Sequence, residues 1–235
     1  MLDRFLRAWL GSWPSTAPTA PTAPTAPTGL TVVGSPRREQ PRWDGGEQRA
    51  LGVTDAAGNG VLSVPPGSVD AVAGLVAATA PGELDTVLGA RLPALVGRPE
   101  QVFFTGVFRW SEAPLAMADA GEWEPSDGPG IPEWLRPFPG EVLIAREPGT
   151  GAYLAGVGLK PHDPTGVEIS VGTEERARGR GLARRLVTKA ARRIVAAQAV
   201  PIYLHDPANT ASAHVAVASG FPDLGWKIHA LAGNA

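Results

Sequence analysis

Between Arg176 and Arg193 the chain places eight basic residues and no acidic one, although its net charge is only −2. The first of them belong to the run Arg176-Ala177-Arg178-Gly179-Arg180-Gly181-Leu182. Gly179 and Gly181 let the backbone approach a ligand where a side chain would block it. Unpaired amides and the positive end of a helix dipole favour phosphate at such a turn. The flanking guanidinium groups add full charge and forked donors. The run lacks G-x-x-x-x-G-K-[ST], which excludes an ATPase or GTPase cradle. Position 184 is Arg, which excludes the dinucleotide fingerprint G-x-G-x-x-G.

The elements on either side must hold this turn in place. Val167, Ile169 and Val171 alternate with Glu168 and Ser170, the period of a strand. Leu182, Leu186, Ala190 and Ile194 fall four apart, the stripe of a helix facing a core, with Arg185, Lys189 and Arg192 on another face. Strand, glycine turn and basic helix together predict an anion site. Residues 141–146 and 152–160 read as a hairpin about Pro148-Gly149-Thr150-Gly151, with 167–171 as the third strand of a meander. Residues 201–205 read as a further strand, parallel to the last because the basic helix is the crossover. Asn209 begins a last helix that Gly220-Phe221 ends, and 226–231 read as a closing strand.

Arg176-x-x-Gly179-x-Gly181 after a strand, with Asn209-x-x-Ser212 and Gly220-Phe221 downstream, resembles the GNAT superfamily of acyl-CoA-dependent N-acyltransferases. The resemblance covers about residues 139–231. It implies an α/β (α+β) fold with a mixed, mostly antiparallel sheet and flanking helices, in which the strands around the basic helix splay apart. It also implies acetyl-CoA as cosubstrate and no metal, with Arg176, Ala177, Arg178, Gly179, Arg180, Gly181 and Leu182 around the pyrophosphate. By the same resemblance, the backbone of Ile169, Ser170 and Val171 holds the pantetheine and the acyl carbonyl, and Asn209 and Ser212 meet the pantetheine arm.

Acyl transfer to an amine needs a held donor, an unprotonated nucleophile, a stabilised oxyanion and a leaving thiolate. An amine is mostly protonated at neutral pH, so a base helps. Glu168 is the first candidate, ahead of His205 and Asp206. Many family members carry a Tyr seven residues after the Asn to protonate the thiolate; this chain has Ala216 there. That departure favours the alternative of a non-catalytic acyl-CoA-binding sensor or scaffold. The acceptor amine leaves no legible mark.

The rest of the chain is less explicit. At 235 residues it suits one large domain or two small ones, and its near-neutral charge gives no argument for nucleic acid. Absence of cysteine excludes disulfides and a cysteine acyl-enzyme. Abundant Gly, Pro, Ala and Arg fit a GC-rich bacterial genome, and a cytoplasmic location is expected. Residues 1–13 form an amphipathic helix (Leu2, Phe5, Leu6, Trp9, Leu10 and Trp13 on one face) that suits membrane or partner docking more than a signal peptide. Residues 14–35 read as a linker, extended where Pro-Thr-Ala repeats and holding that helix at a distance. Residues 36–137 form an N-terminal α/β half of unassigned role, with helices over 69–80 and 83–96, a strand over 101–110 and a loop over 122–139. Residues 138–235 form the acyltransferase domain.

Overall fold

The computed structural model describes residues 1–13 and 29–233, so the Pro-Thr-Ala tract lies outside the described residues. The fold is mixed α/β, with mostly antiparallel strands flanked by helices. Two compact units are present: Asp3–Phe108 with Leu224–Ala235, and Arg109–Asp223 with Met1–Leu2.

The first unit begins with α1 (Leu2–Leu10). The side chains of Phe5, Leu6, Trp9, Leu10 and Trp13 are all buried, the Phe5 and Trp9 rings stack at 4.9 Å, and Trp13 lies 5.4 Å from Trp226. The last carbonyls of α1 accept from arginines that follow: Arg38 Nη2 donates to Trp9 O at 3.0 Å and Arg37 Nη1 to Ala8 O at 3.3 Å. The apolar face expected to dock elsewhere is therefore already covered within the protein, and the helix is not held at a distance. Burial satisfies the hydrophobic stripe more fully than a reversible surface contact would.

The strands β1 (Leu30–Gly34), β2 (Leu51–Thr54) and β3 (Gly60–Val64) follow. The sequence reading missed all three, and β1 occupies the end of the expected linker. Asp55 Oδ1 accepts from the amides of Ala57 and Asn59 and shapes the β2–β3 turn, a signal that Asp-Ala-Ala-Gly-Asn-Gly carried. Helices α2 (Val69–Ala77) and α3 (Leu84–Leu95) form where expected, with Pro93 in the last turn of α3. Their buried Val72, Val76, Leu88 and Leu92 pack with Leu30, Leu62 and Val64 in one core cluster. Strand β4 (Val102–Trp110) completes the N-terminal run.

The second unit holds β5 (Glu122–Pro125), β6 (Glu141–Arg146), β7 (Tyr153–Asp163) and β8 (Gly166–Thr173), each antiparallel to the next. The short β5 lies inside the segment expected to be loop. Helix α4 (Leu182–Ala196) crosses over to β9 (Val200–His205), which runs parallel to β8, and α5 (Thr210–Ala218) follows. The stripe read from the sequence is the buried one: Leu186, Ala190 and Ile194 pack with Ile169, Tyr203, Ala216 and Phe221.

The last strand, β10 (Lys227–Ala232), forms close to the expected place but pairs antiparallel with β2 and β4 of the first unit. The chain thus returns after Asp223 instead of closing the unit that precedes it, and the breaks fall at 108/109 and 223/224. A strand's own residues state its period but not its partner.

His229 of β10 is buried, with Nε2 2.9 Å from Thr54 Oγ1 and Nδ1 3.5 Å from Asp85 Oδ1. Burial pushes its pKa down to about 4, against the opposing pull of Asp85 and with help from the Lys227 charge. The unfolded chain, with an ordinary histidine, binds the proton more readily than the folded one. The stability this contributes is complete above about pH 6.5 and lost as pH falls towards 4, by about 3 kcal/mol. Melting temperatures across pH 7 to 4 should fall steeply for the wild type and less for His229→Gln; parallel curves would show that His229 does not carry the effect.

Candidate functional site

The site is built on the end of β8, within the second unit. β8 pairs with β9 only at Gly166–Val200, Val167–Pro201 and Glu168–Ile202. From Ile169 to Thr173 it keeps its partner β7 (Ile169 with Leu159, Ser170 with Gly158, Val171 with Val157), but its β9-facing edge carries no ladder. The two parallel strands therefore fork after Glu168 and Ile202. Backbone polar groups along an unpaired edge need partners, which water or an extended ligand bearing amides can supply.

Beyond the fork the chain passes through a short 3-10 turn, Glu175–Ala177, to Gly179 (φ +77°) and Gly181 (φ +71°), the residue that opens α4. Both dihedrals lie in the left-handed region that glycine tolerates best. A Cβ at Gly179 would meet no atom within 4 Å, so the space in front of the turn is open. A cleft of about 560 Å³ opens beside it, lined among others by Arg180, Leu182 and Arg185, by Ala145 and Arg146 of β6, and by Asp119.

The basic residues divide into two groups. Arg185 donates to the carbonyls of Ala118 and Asp119, Lys189 to Gly121 O at 2.7 Å, and Arg192 to Met117 O at 3.1 Å and to the Asp119 carboxylate. Arg193 pairs with Glu141 at 2.6 Å and stands 4.1 Å over the Trp123 ring. This outer face of α4 clamps residues 117–123 and Glu141, and Arg185 also lines the cleft. Arg176 reaches the Tyr153 carbonyl (3.0 Å) and Glu147 (3.3 Å), which orients the turn. Arg178 and Arg180 flank Gly179, Arg184 lies against Gly181 (a Cβ there would come within 3.0 Å of its Nε), and Ala177 is buried.

On the other face of β7 and β8 the sequence reading missed a layer. Residues 131–138 lie over the sheet, where a Cβ at Gly158 would come within 2.4 Å of the Phe138 ring and one at Gly172 within 2.7 Å of Trp134. The signal was Gly156-x-Gly158: two glycines on one face of a strand mark a close approach.

Glu168 lies on that face, with its side chain 11% exposed. Its Oε1 accepts from Lys160 Nζ at 2.7 Å and its Oε2 lies 3.0 Å from His162 Nε2. Burial alone would raise its pKa; the His162 hydrogen bond and the Lys160 charge outweigh that and hold it at about 2. A carboxylate so stabilised as the anion is a poor proton acceptor. The carboxylate expected to act as the base is shared between Lys160 and His162, partners that sequence spacing did not make legible. Glu168→Ala should cost about 3 kcal/mol, since it removes the largely buried carboxylate that Lys160 Nζ and His162 Nε2 share. A melting temperature within a degree or two of wild type would contradict this.

His205 also has both ring nitrogens engaged. Nε2 accepts from Arg109 Nε at 3.0 Å, so the proton sits on Nδ1, which donates to Asp206 O at 2.8 Å. Arg109 further donates to Phe221 O (3.2 Å) and Asp223 Oδ2 (2.9 Å), making His205 part of a clamp. The Asp206 carboxylate accepts from Ala208 N at 2.7 Å. Asn209 caps α5, its Oδ1 accepting from Ser212 N at 2.9 Å, as the spacing predicts. Among the described residues no helix is long and apolar enough to cross a membrane.

Residues 105–221 match the acetyltransferase (GNAT) family. Solved structures with similar folds include a GNAT-family protein from Novosphingobium aromaticivorans, at 21% identity and TM-score 0.48 over 58% of this chain and 69% of that one. Another is a GNAT-family acetyltransferase from Colwellia psychrerythraea, at 13% identity and TM-score 0.45 over 65% and 72%. A third is a GCN5-related N-acetyltransferase-like protein from Streptococcus suis, at 14% identity and TM-score 0.43 over 74% and 72%. No curated protein matches the sequence.

Proposed function

From a chain whose residues 105–221 belong to the acetyltransferase (GNAT) family, we propose an N-acetyltransferase that moves an acetyl group from acetyl-CoA to a primary amine by direct attack in a ternary complex. The observation that carries this reading is the fork of β8 and β9 ending at a two-glycine turn on the N-terminus of α4. The turn amides with Arg178 and Arg180 hold the pyrophosphate, Arg176 sets the turn, and Leu182 walls the adjoining cleft. The free edge of Ile169, Ser170 and Val171 holds the pantetheine amides and offers a main-chain N–H to the carbonyl oxygen as it gains charge. Asn209 and Ser212, at the start of α5, flank the arm.

With Glu168 and His205 engaged, the acceptor reacts as its free base and loses its proton to water. Glu168 acts as the charged anchor that keeps β7 and β8 in register beside the fork. Rate at saturating acetyl-CoA should then climb with pH towards the acceptor's own pKa, about 10 for a simple alkylamine.

The same engaged side chains favour a second reading, a module that binds acyl-CoA without transferring it. Calorimetric titration with acetyl-CoA followed by an amine screen for thiol release separates the two. Binding with amine-dependent thiol release supports the enzyme; binding with no release by any amine supports the module. No binding by the wild type removes both.

A further inference from the structure

We infer that Trp134 is the platform that selects the acceptor, and that the acceptor is a monoamine carried on a flat apolar body, an arylalkylamine. This rests on the acyltransferase reading above and names the substrate class of that same site.

The faces of the sheet at the fork differ. On the α4 face, Ile169 of β8 and Tyr203 of β9 pack with Leu186, Ala216 and Phe221, and none of these is more than 2% exposed. An amine has no way through that face to an acyl group held along Ile169, Ser170 and Val171. The opposite face carries Glu168, Ser170 and Gly172, because side chains alternate along a strand. Ile202 is level with Glu168, so the next residue of β9 on this face is Leu204, which is half-buried. The acceptor therefore approaches from this side, past Ser170.

Trp134 lies on the same face. The benzene ring of its indole rests on Gly172, where a Cβ would come within 2.7 Å of Cζ2. Gly172 belongs to the stretch of β8 that pairs with β7 and has no ladder to β9. Phe138 meets the indole edge-on, with ring centroids 6.0 Å apart and planes at 89°. The Tyr153 hydroxyl donates to Gly172 O at 3.5 Å. Burial raises that phenol to about 12, against an opposing hydrogen bond from Trp134, so the hydroxyl keeps its proton and also helps to seat the indole. The ring is thus pinned by its neighbours and still 40% exposed. A fixed, open aromatic surface beside a free strand edge takes up a flat apolar group at little cost in side-chain entropy.

Charge decides between acceptor classes. A polyamine or an aminoglycoside carries several cations and calls for several uncommitted carboxylates. The carboxylate that β8 places on this face, Glu168, has both oxygens taken up by Lys160 and His162. What this face offers is an indole and the half-buried Leu204, which suit one ring bearing one amine.

The test follows thiol release from acetyl-CoA by the full chain with 2-phenylethylamine, with ethylamine, which lacks the ring, and with spermidine. Calorimetric titration with acetyl-CoA and thermal melting run alongside. For the wild type, kcat/KM for 2-phenylethylamine should exceed that for each of the others by about 30-fold, the effect of burying one aromatic ring. Trp134→Ala should cut that value about 30-fold, with a loss under threefold for ethylamine and unchanged affinity for acetyl-CoA. Trp134→Phe, which keeps a ring, should retain most of the preference. A wild type that uses spermidine or ethylamine as well as 2-phenylethylamine overturns the platform and leaves the acyltransferase standing. A Trp134→Ala protein that melts like wild type and keeps the preference does the same, as does an equal loss with every amine, which would make Trp134 a structural support. Acetyl-CoA binding with no thiol release by any of these amines overturns both, and so does failure of the wild type to bind acetyl-CoA.

Discussion

Removing residues 1–13 is expected to unfold the first unit. Phe5, Leu6, Trp9, Leu10 and Trp13 are between 0% and 7% exposed. Each such side chain contributes about 1.5–3 kcal/mol relative to an exposed one, so the five together contribute roughly 10 kcal/mol. That equals the whole net stability of a typical domain, about 5–15 kcal/mol. The truncation also strips Arg38 of the Trp9 carbonyl that its buried guanidinium bonds. Circular dichroism and thermal melting should show loss of the cooperative transition, with gain of dye-binding hydrophobic surface. A truncated protein that melts within a few degrees of the full chain would instead make α1 a peripheral element. The result also bears on docking: liposomes should not compete for a face that the fold already buries.

The second large effect is on ligand binding with little change in stability. A Cβ at Gly179 would meet no atom within 4 Å, so Gly179→Trp starts from open space and should leave the core undisturbed. The positive φ costs about 1–2 kcal/mol for a non-glycine residue. If the turn holds the pyrophosphate as proposed, the indole would block it, and affinity for acetyl-CoA should fall by about 100-fold or more, close to 3 kcal/mol. Calorimetric titration of wild type and variant, with melting as the control, reads both quantities. Equal affinity in the variant would move the pyrophosphate away from this turn. Arg185→Ala provides the contrast: that side chain clamps the 118–119 carbonyls, so its loss should lower stability and leave affinity nearly unchanged.

Residues 141–219 were the most legible part of the chain. Local signals carry them: the Pro-Gly-Thr-Gly turn between β6 and β7, two-residue alternation in β8, glycines at positive φ in the turn, a four-residue stripe in α4, and an Asn cap on α5. Each is a statement about neighbours in sequence, where dihedral preference and periodicity act. The parallel β9 followed from the crossover alone. The two-glycine turn was legible for the same reason, since its glycines and Arg178 and Arg180 lie within a few residues of one another.

What only the tertiary structure decided are pairings between distant residues. The basic face of α4 could hold phosphate or protein carbonyls, and residues 117–121 supplied the carbonyls. Glu168 looked like a base until Lys160 and His162 were brought to its two oxygens by the β7–β8 register. His205 met Arg109, 96 residues earlier in the chain. Strand β10 paired in the first unit, and α1 turned its apolar face inwards. A side chain's type sets which partners it can satisfy, but chain entropy and packing choose among them, and neither leaves a mark on the local sequence.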